Sequence, residues 1–274
     1  MMRHPQIALL PDRRLHLQDG PIDLVIGADG ADADIRAAYQ AAVRRFTGLL
    51  DELCAELPDL RKSADPNHCV LKGEIARRMD RAVAPYAAQT FITPMAAVAG
   101  AVAEEILGAM LGAAGLSRAY VNNGGDIALH LLDAASFSVG VMDRPDGQGV
   151  LRMLTIHADD AVRGVATSGR HGRSFSLGIA DAVTVLARTA AVADAAATVI
   201  ANAIDLPGHP AIIRRPARDL QPDSDLGDRL VTREVGALGD AEIAEALAVG
   251  EVRARALLAE GLICLLYTSD AADE

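Results

Sequence analysis

The 274 residues carry 26 Lys and Arg against 37 Asp and Glu, a formal charge of −11 at pH 7, which argues against the broad basic surface that holds nucleic acid phosphates. Hydrophobic residues make up 51% but aromatic ones only 3%, with no Trp, so the core is expected from Ala, Val, Leu and Ile, and stacking platforms for bases are poor. The length suits one large domain or two small ones, and no clean linker or internal repeat divides it, so a single core is the simpler reading.

RLHLQ, the turn pair Asp19-Gly20 and PIDLVIG predict an N-terminal β-hairpin, because Asp-Gly between apolar runs favours a tight turn. Ile35, Tyr39, Val43, Phe46, Leu50 and Leu53 recur at helical spacing and predict one long amphipathic helix from Asp34 to about Leu57, stopped near Pro58. A second helix is expected from Glu74 to about Val83, and a third, rich in Ala, from Pro94 to about Gly115. The third is the most apolar stretch, yet Glu104 and Glu105 stand at its middle, which favours a buried helix over a bilayer span. AYVNN, DIALHLL, SFSVGVM, LRMLTIH, VRGVATS and AVTVLA follow as short strands separated by Gly, Asp, Asn and Pro. A fourth helix from about Ala190 to Ile204, a polar loop rich in Pro and Asp, and a fifth helix from Glu242 to Glu260 complete the chain. Strands and helices come in blocks, which predicts an α+β fold, a largely antiparallel sheet packed with Ala-rich helices.

The run Ile263 to Glu274, ICLLYTSDAADE, resembles translated sequencing-adapter read-through, so one domain is expected over 1–262 and residues 263–274 are set aside as a non-native tail. Without Cys264, only Cys54 and Cys69 remain, too few for a disulfide framework and without metal-ligand spacing. The N-terminal run has no apolar segment of the length a secretory signal needs, and a reduced, cytoplasmic location is expected.

Three constellations could carry chemistry. Asp194 and Thr198 stand four residues apart on the fourth helix, so a carboxylate and a hydroxyl share one face one turn apart. Two hard oxygens there suit Mg²⁺, whose other ligands are usually water and substrate phosphates. Alternatively, Asp194 complements the helix dipole and Thr198 bonds back to a carbonyl one turn earlier, and spacing alone favours this second reading. Asn122, Asn123, Gly124, Gly125 and Asp126 form either a plain hairpin turn or a turn whose glycines admit a ring or phosphate, with Asp126 accepting a hydrogen bond from the ligand. The stretch Arg163 to Arg173, with Thr167, Ser168, Gly169, Arg170 and His171, reads as an anion nest fit for a pyrophosphate or as an ordinary solvated loop. Ser168 and His171 lie close in sequence, but no GxSxG elbow and no acid to orient the His accompany them, which disfavours a hydrolase triad. Arg214, Arg215 and Arg218, followed by an acidic run, read as a salt-bridged surface loop.

In order, the Gly-Gly-Asp hairpin, Ala-Thr-Ser-Gly and Ala-Asp-Ala-x-Ala-Thr resemble the ApbE superfamily, the FAD:protein FMN transferases. More closely, the segments TPMAAVAGAVAEEIL, YVNNGGDIAL, GVATSGRHGRSFSLGIADAVTVLA and ADAAATVIANAID resemble the short cytoplasmic branch of that superfamily, up to about Gly261. The resemblance implies an α+β fold related to the tunnelling-type architecture with a flavin-nucleotide pocket between sheet and helices. It implies that Asp194 and Thr198 hold Mg²⁺ and that Gly124, Gly125, Thr167, Ser168 and Gly169 line the pocket. It further implies FAD or FMN as substrate or ligand and cleavage of the FAD pyrophosphate, with FMN passing to a Thr or Ser hydroxyl of an acceptor protein. The chain departs from the transferases in having Ala99-Gly100 where they carry Lys-Gly. Phe175, Ser176, Leu177 and Gly178 stand where they carry His-x-x-Asp-Pro-x-Thr-Gly. An Mg²⁺-dependent enzyme on a flavin nucleotide diphosphate is therefore the leading expectation, with Asn123, Gly124, Gly125, Asp126, Thr167, Ser168, Gly169, Arg170 and Arg173 binding the nucleotide. A non-catalytic nucleotide-binding protein of the same fold is the alternative. A subunit whose Ala-rich helices pack into a homo-oligomer is a third reading, though it leaves the Arg163 to Arg173 cluster unexplained.

Overall fold

The computed structural model describes residues 5–141 and 152–268. The ends of the expected strands at Met142 and Leu151, and the tail from Ser269 onward, lie outside the described residues. The strands are β1 (Gln6–Leu9), β2 (Leu15–Asp19), β3 (Ile22–Asp29), β4 (Arg118–Asn123), β5 (Asp126–Leu131), β6 (Ser136–Val141), β7 (Arg152–His157), β8 (Gly164–Ser168), β9 (Val183–Ala187), β10 (Ile212–Pro216), β11 (Leu230–Val235) and β12 (Leu265–Thr268). The helices are α1 (Asp32–Phe46), α2 (Leu49–Ala55), α3 (Leu57–Leu60), α4 (Glu74–Ala87), α5 (Val98–Leu111), α6 (Ala190–Ala203), α7 (Ala217–Leu220) and α8 (Asp240–Ala259), with a 3-10 turn at Pro94–Ala97 before α5.

One antiparallel sheet runs β1-β2-β3-β4-β5-β8-β9-β12. Along its strands the side chains alternate between two covers. Leu17, Leu24, Ile26, Val121, Ala128 and Ala166 face the helices, while Leu129, Val165 and Leu186 face a second cluster closed by the β6–β7 hairpin through Leu154 and Ile156. Both faces are therefore dry, which explains why DIALHL and GVATS mix apolar residues at successive positions instead of alternating cleanly. The α+β expectation holds.

On the helix side, α5 and α6 lie directly on the strands that matter below: α5 on β4 and β5, α6 on β8 and β9. The segment Pro94–Leu111 is apolar and long enough to cross a membrane by length and composition, but here Ala101, Val102, Ala103, Ile106 and Met110 are fully buried inside the fold. Its charged residues enter a ladder of ion pairs, with Glu105 between Arg45 (2.6 Å) and Arg78 (2.8 Å).

Three sequence expectations need correction. The long first helix is broken: the Thr47 hydroxyl donates to the Val43 carbonyl (2.9 Å), and Gly48 takes φ +82°, a left-handed conformation that ends α1 before α2 begins. The polar loop after the fourth helix contains a hairpin, β10–β11, fixed to the body by the Thr232 amide donating to Ser176 O (2.9 Å) and by Arg214 bonding Leu177 O and Asp205. Arg214 is thus a part-buried tie, whereas Arg218 pairs with exposed Asp228 as a surface loop would. Finally, β1 adds an exposed edge strand before the expected hairpin. Residues 265–268, which the sequence reading set aside, pair antiparallel with β9 at the other edge.

Candidate functional site

Gly124 and Gly125 are the two loop residues between paired Asn123 and Asp126, with φ +66° and +114°. Two successive positive φ values make this a tight hairpin turn that side chains oppose. Asn122 fixes it by accepting from the Gly125 amide (2.8 Å). Asn123 and Asp126 face each other across the ladder on the helix side, and buried Asn123 donates to Ala99 O (3.2 Å) at the start of α5. The turn reading of this motif is therefore correct, and the turn also carries an acid beneath the helices.

That acid meets a second one. α5 and α6 touch at Gly100, where a Cβ would overlap the Ala190 carbonyl. At this contact the helices exchange caps: Asp194 on α6 accepts from the Gly100 amide (3.0 Å) in the first turn of α5, and Glu104 on α5 accepts from the Ala191 amide (2.7 Å) in the first turn of α6. Thr189 adds a side-chain cap to α6 through the Val192 amide. Gly100 thus has a packing reason to be glycine.

Electrostatically the pair is unstable as two anions. Burial pushes the Asp194 carboxyl up to about 7, against the opposing pull of the Gly100 and Ala99 amides. Asp126 is pushed well above the usual carboxylate range by burial first and by the Asp194 charge second, with the Thr167 backbone and the Arg173 cation pulling the other way. Oδ1 of Asp126 is buried and finds no hydrogen-bond partner among the described residues. An orphaned acceptor beside a second buried carboxylate is a costly arrangement that a proton or a cation relieves.

Thr198 stands one turn beyond Asp194 on α6, part-buried. Among the described residues no cluster of three His, Cys, Asp or Glu side chains is placed to hold a metal ion. The donors available are two carboxylates and a hydroxyl, all hard oxygens, which fits a Mg²⁺ ion that keeps waters and completes its shell with phosphate oxygens.

The expected anion loop divides on inspection. Arg170 is bound to Asp181 through Nε (2.7 Å) and Nη2 (2.6 Å), and His171 shares the same oxygen (3.1 Å). Arg163 donates to the carbonyls of Ala158, Asp160 and Val162. Arg173 differs: its guanidinium lies against Gly124, reaches Pro21 O (3.0 Å) and faces Asp126. The Thr167 hydroxyl pairs with that of Thr184 (2.8 Å) on β9, so only its backbone turns to Asp126. Ser168 ends β8, and Gly169 packs so tightly on the Asp181 carbonyl that a Cβ would overlap it. A cavity of about 360 Å³ lies one turn past Thr198 on α6, beside Asn202, Phe91 and Arg253. Sequence reading gave Asp126 to the ligand and missed it as the partner of Asp194; only the fold joins residues so distant in the chain.

Fold and site together define an α+β protein with paired buried carboxylates under a Gly-Gly hairpin. A family model described as "AbpE bacteria" matches residues 7–270, and the chain belongs to this ApbE family, as its ordered motifs led one to expect. It is 36% identical over 183 residues to a UPF0280 protein of Methanopyrus kandleri, covering 66% of this chain and 69% of the relative. It is 33% identical over 198 residues to a UPF0280 protein of Methanococcoides burtonii, covering 71% and 78%. Among solved structures it is similar to the apo form of Pseudomonas stutzeri flavinyl transferase ApbE, at 12% identity and a TM-score of 0.34, over 87% of this chain and 98% of the other.

Proposed function

We propose that the protein is a Mg²⁺-dependent enzyme that acts on a flavin nucleotide diphosphate at the Asp126–Asp194 site, cleaving FAD with transfer of FMN or carrying out a related phosphoryl transfer. The observation that carries this reading is the orphaned Asp126 oxygen beside Asp194, whose charge adds to burial in raising the proton affinity of Asp126. Asp194 and Thr198 would hold the ion, with Asp126 beside them. Bound there, the ion would neutralise diphosphate charge and stabilise the leaving phosphate. Arg173, at the rim of the hairpin, would steady the diphosphate, and Gly124 and Gly125 would let backbone amides approach it. Asn123, Thr167, Ser168 and Gly169 would shape the pocket, and the cavity beside Asn202 offers room for a ring system. The acceptor would be a hydroxyl of a target protein. Free Cys54, Cys69 and Cys264 accord with a reducing, cytoplasmic setting.

A second reading, a nucleotide-binding protein without turnover, is favoured by Ala99-Gly100 and Phe175 to Gly178 standing where the transferases carry Lys-Gly and His-x-x-Asp-Pro-x-Thr-Gly. One incubation separates the two. Purified protein with FAD and Mg²⁺ is followed chromatographically for FMN and AMP, with Asp194→Ala alongside. Release of both products, lost in the variant, supports the enzyme; retained flavin without products supports the binding protein; absence of flavin association refutes both.

A further inference from the structure

We propose a second ligand site, at the end of β3 and β4 away from the carboxylate pair, that binds a planar aromatic ring bearing a phosphate or carboxylate group. It goes beyond the function proposed above and does not depend on it. The site is a cavity of about 320 Å³ at the ends of β3 and β4, against α1, within the range of about 300–1,000 Å³ usual for small-molecule sites.

Composition makes this cavity unusual for the chain. The sequence has four Tyr, four Phe and no Trp, and Tyr39, Tyr120 and Phe137 all line it. Tyr120 and Phe137 meet edge to face with centroids 5.8 Å apart. Gly27, paired with Tyr120 across the sheet, forms part of the floor; a Cβ there would stand 2.9 Å from Cζ of the ring, so only bare backbone leaves room for the tyrosine. The result is an aromatic wall over a glycine floor, the surface a ring would stack on.

Three cations surround it in a chain with net charge −11. Arg118 stands 5.1 Å from the Phe137 centroid and donates to Ser136 O (2.8 Å). Arg14 lines the cavity with Tyr120 and pairs with Asp12 (2.6 Å), and Arg13 pairs with Asp32 (2.8 Å). Each arginine has a carboxylate neighbour, Arg118 having Asp29, but in all three pairs both side chains are more than 40% exposed. Exposed pairs of this kind are worth little, so an anion held by several guanidinium groups at once can displace them.

The two sites are separate. Tyr120 is three residues from Asn123 along β4, about 10 Å at roughly 3.3 Å per residue, and packs with the β6–β7 cluster while Asn123 faces the helices. Calorimetric titration of the full chain with AMP, phenyl phosphate, adenosine and inorganic phosphate tests the proposal, using the parent, Arg14→Gln, Arg118→Gln, Phe137→Leu and Asp194→Asn. We expect both phosphate-bearing rings to bind. Adenosine and inorganic phosphate should each bind at least about tenfold more weakly, as should AMP to either arginine variant, since a charged hydrogen bond is lost. Unchanged melting of the arginine variants confirms that their fold is intact. Three results overturn the proposal: no binding of AMP or phenyl phosphate at millimolar concentration; equal affinity for adenosine or for inorganic phosphate; or AMP binding that Asp194→Asn abolishes and the arginine and Phe137 variants leave alone.

Discussion

Replacing Asp194 by Asn should make the metal-free protein more stable at pH 8, the opposite of what removing a hydrogen-bonded buried residue usually does. Burial raises this carboxyl from its ordinary 3.8 to about 7, so the folded chain holds the proton more tightly than the unfolded one. Stability then falls as pH rises between those values, and the full cost is present above the folded value. At 1.36 kcal/mol for each pKa unit, the cost at pH 8 is about 4 kcal/mol, and at pH 5 about 1.5 kcal/mol. Asn keeps a carbonyl oxygen for the Gly100 amide, discards the charge, and relieves Asp126 as well. Allowing for imperfect replacement of the cap, the variant should gain about 2–4 kcal/mol at pH 8, a rise in Tm of roughly 5–15 °C for a chain of this size. Thermal unfolding followed by circular dichroism, with EDTA present, at pH 5 and pH 8, measures it. The gain should shrink at pH 5, and adding Mg²⁺ should stabilise the parent but not the variant. A variant that melts at or below the parent at pH 8 refutes the claim that burying the Asp194 carboxylate is costly.

Other substitutions test the frame around the pair. Gly100→Ala forces a methyl into the Ala190 carbonyl, so α5 and α6 must part; a loss of about 1–3 kcal/mol or more in denaturant unfolding is expected, together with loss of the Mg²⁺ effect on melting. Glu104→Gln keeps an acceptor for the Ala191 amide but removes the charge facing Arg78 (3.3 Å); a cost of about 1–2 kcal/mol by urea unfolding is expected, shrinking at high salt. Tyr86→Phe deletes a buried hydroxyl that has no partner among the described residues, so stability should be unchanged or rise by up to about 1 kcal/mol; a clear loss in the same assay would mean that the hydroxyl is bonded.

Much of this architecture is legible in the chain because local chemistry and global position agree. Asp19 and Gly20 mark the β2–β3 turn, where Gly20 takes φ +57°, and the six short apolar runs after Gly115 each become a strand. The expected long first helix failed because Phe46, Leu50 and Leu53 keep the apolar period across Gly48; periodicity reports which face is buried, whereas the break depends on one backbone angle. The β10–β11 hairpin was hidden because Arg214 and Arg215 interrupt its apolar pattern, and its support comes from Asp205, Leu177 and Ser176 in other segments. At the site, four-residue spacing placed Asp194 with Thr198, but nothing local joins Asp194 to Asp126. Likewise a run of arginines suggested a nest for anions, and the Asp181 that occupies two of its basic groups could be identified only in the folded chain.

The exchanged caps where α5 meets α6 have a mechanical consequence. Neither helix can slide or roll alone, since each would leave the other's leading amide bare, so the two move as a single girder. Asp194 is then a fixed post rather than a swinging arm. Any adjustment to an incoming ligand falls to the exposed Arg173 and the glycine turn it touches, which makes that corner the compliant part of the machine.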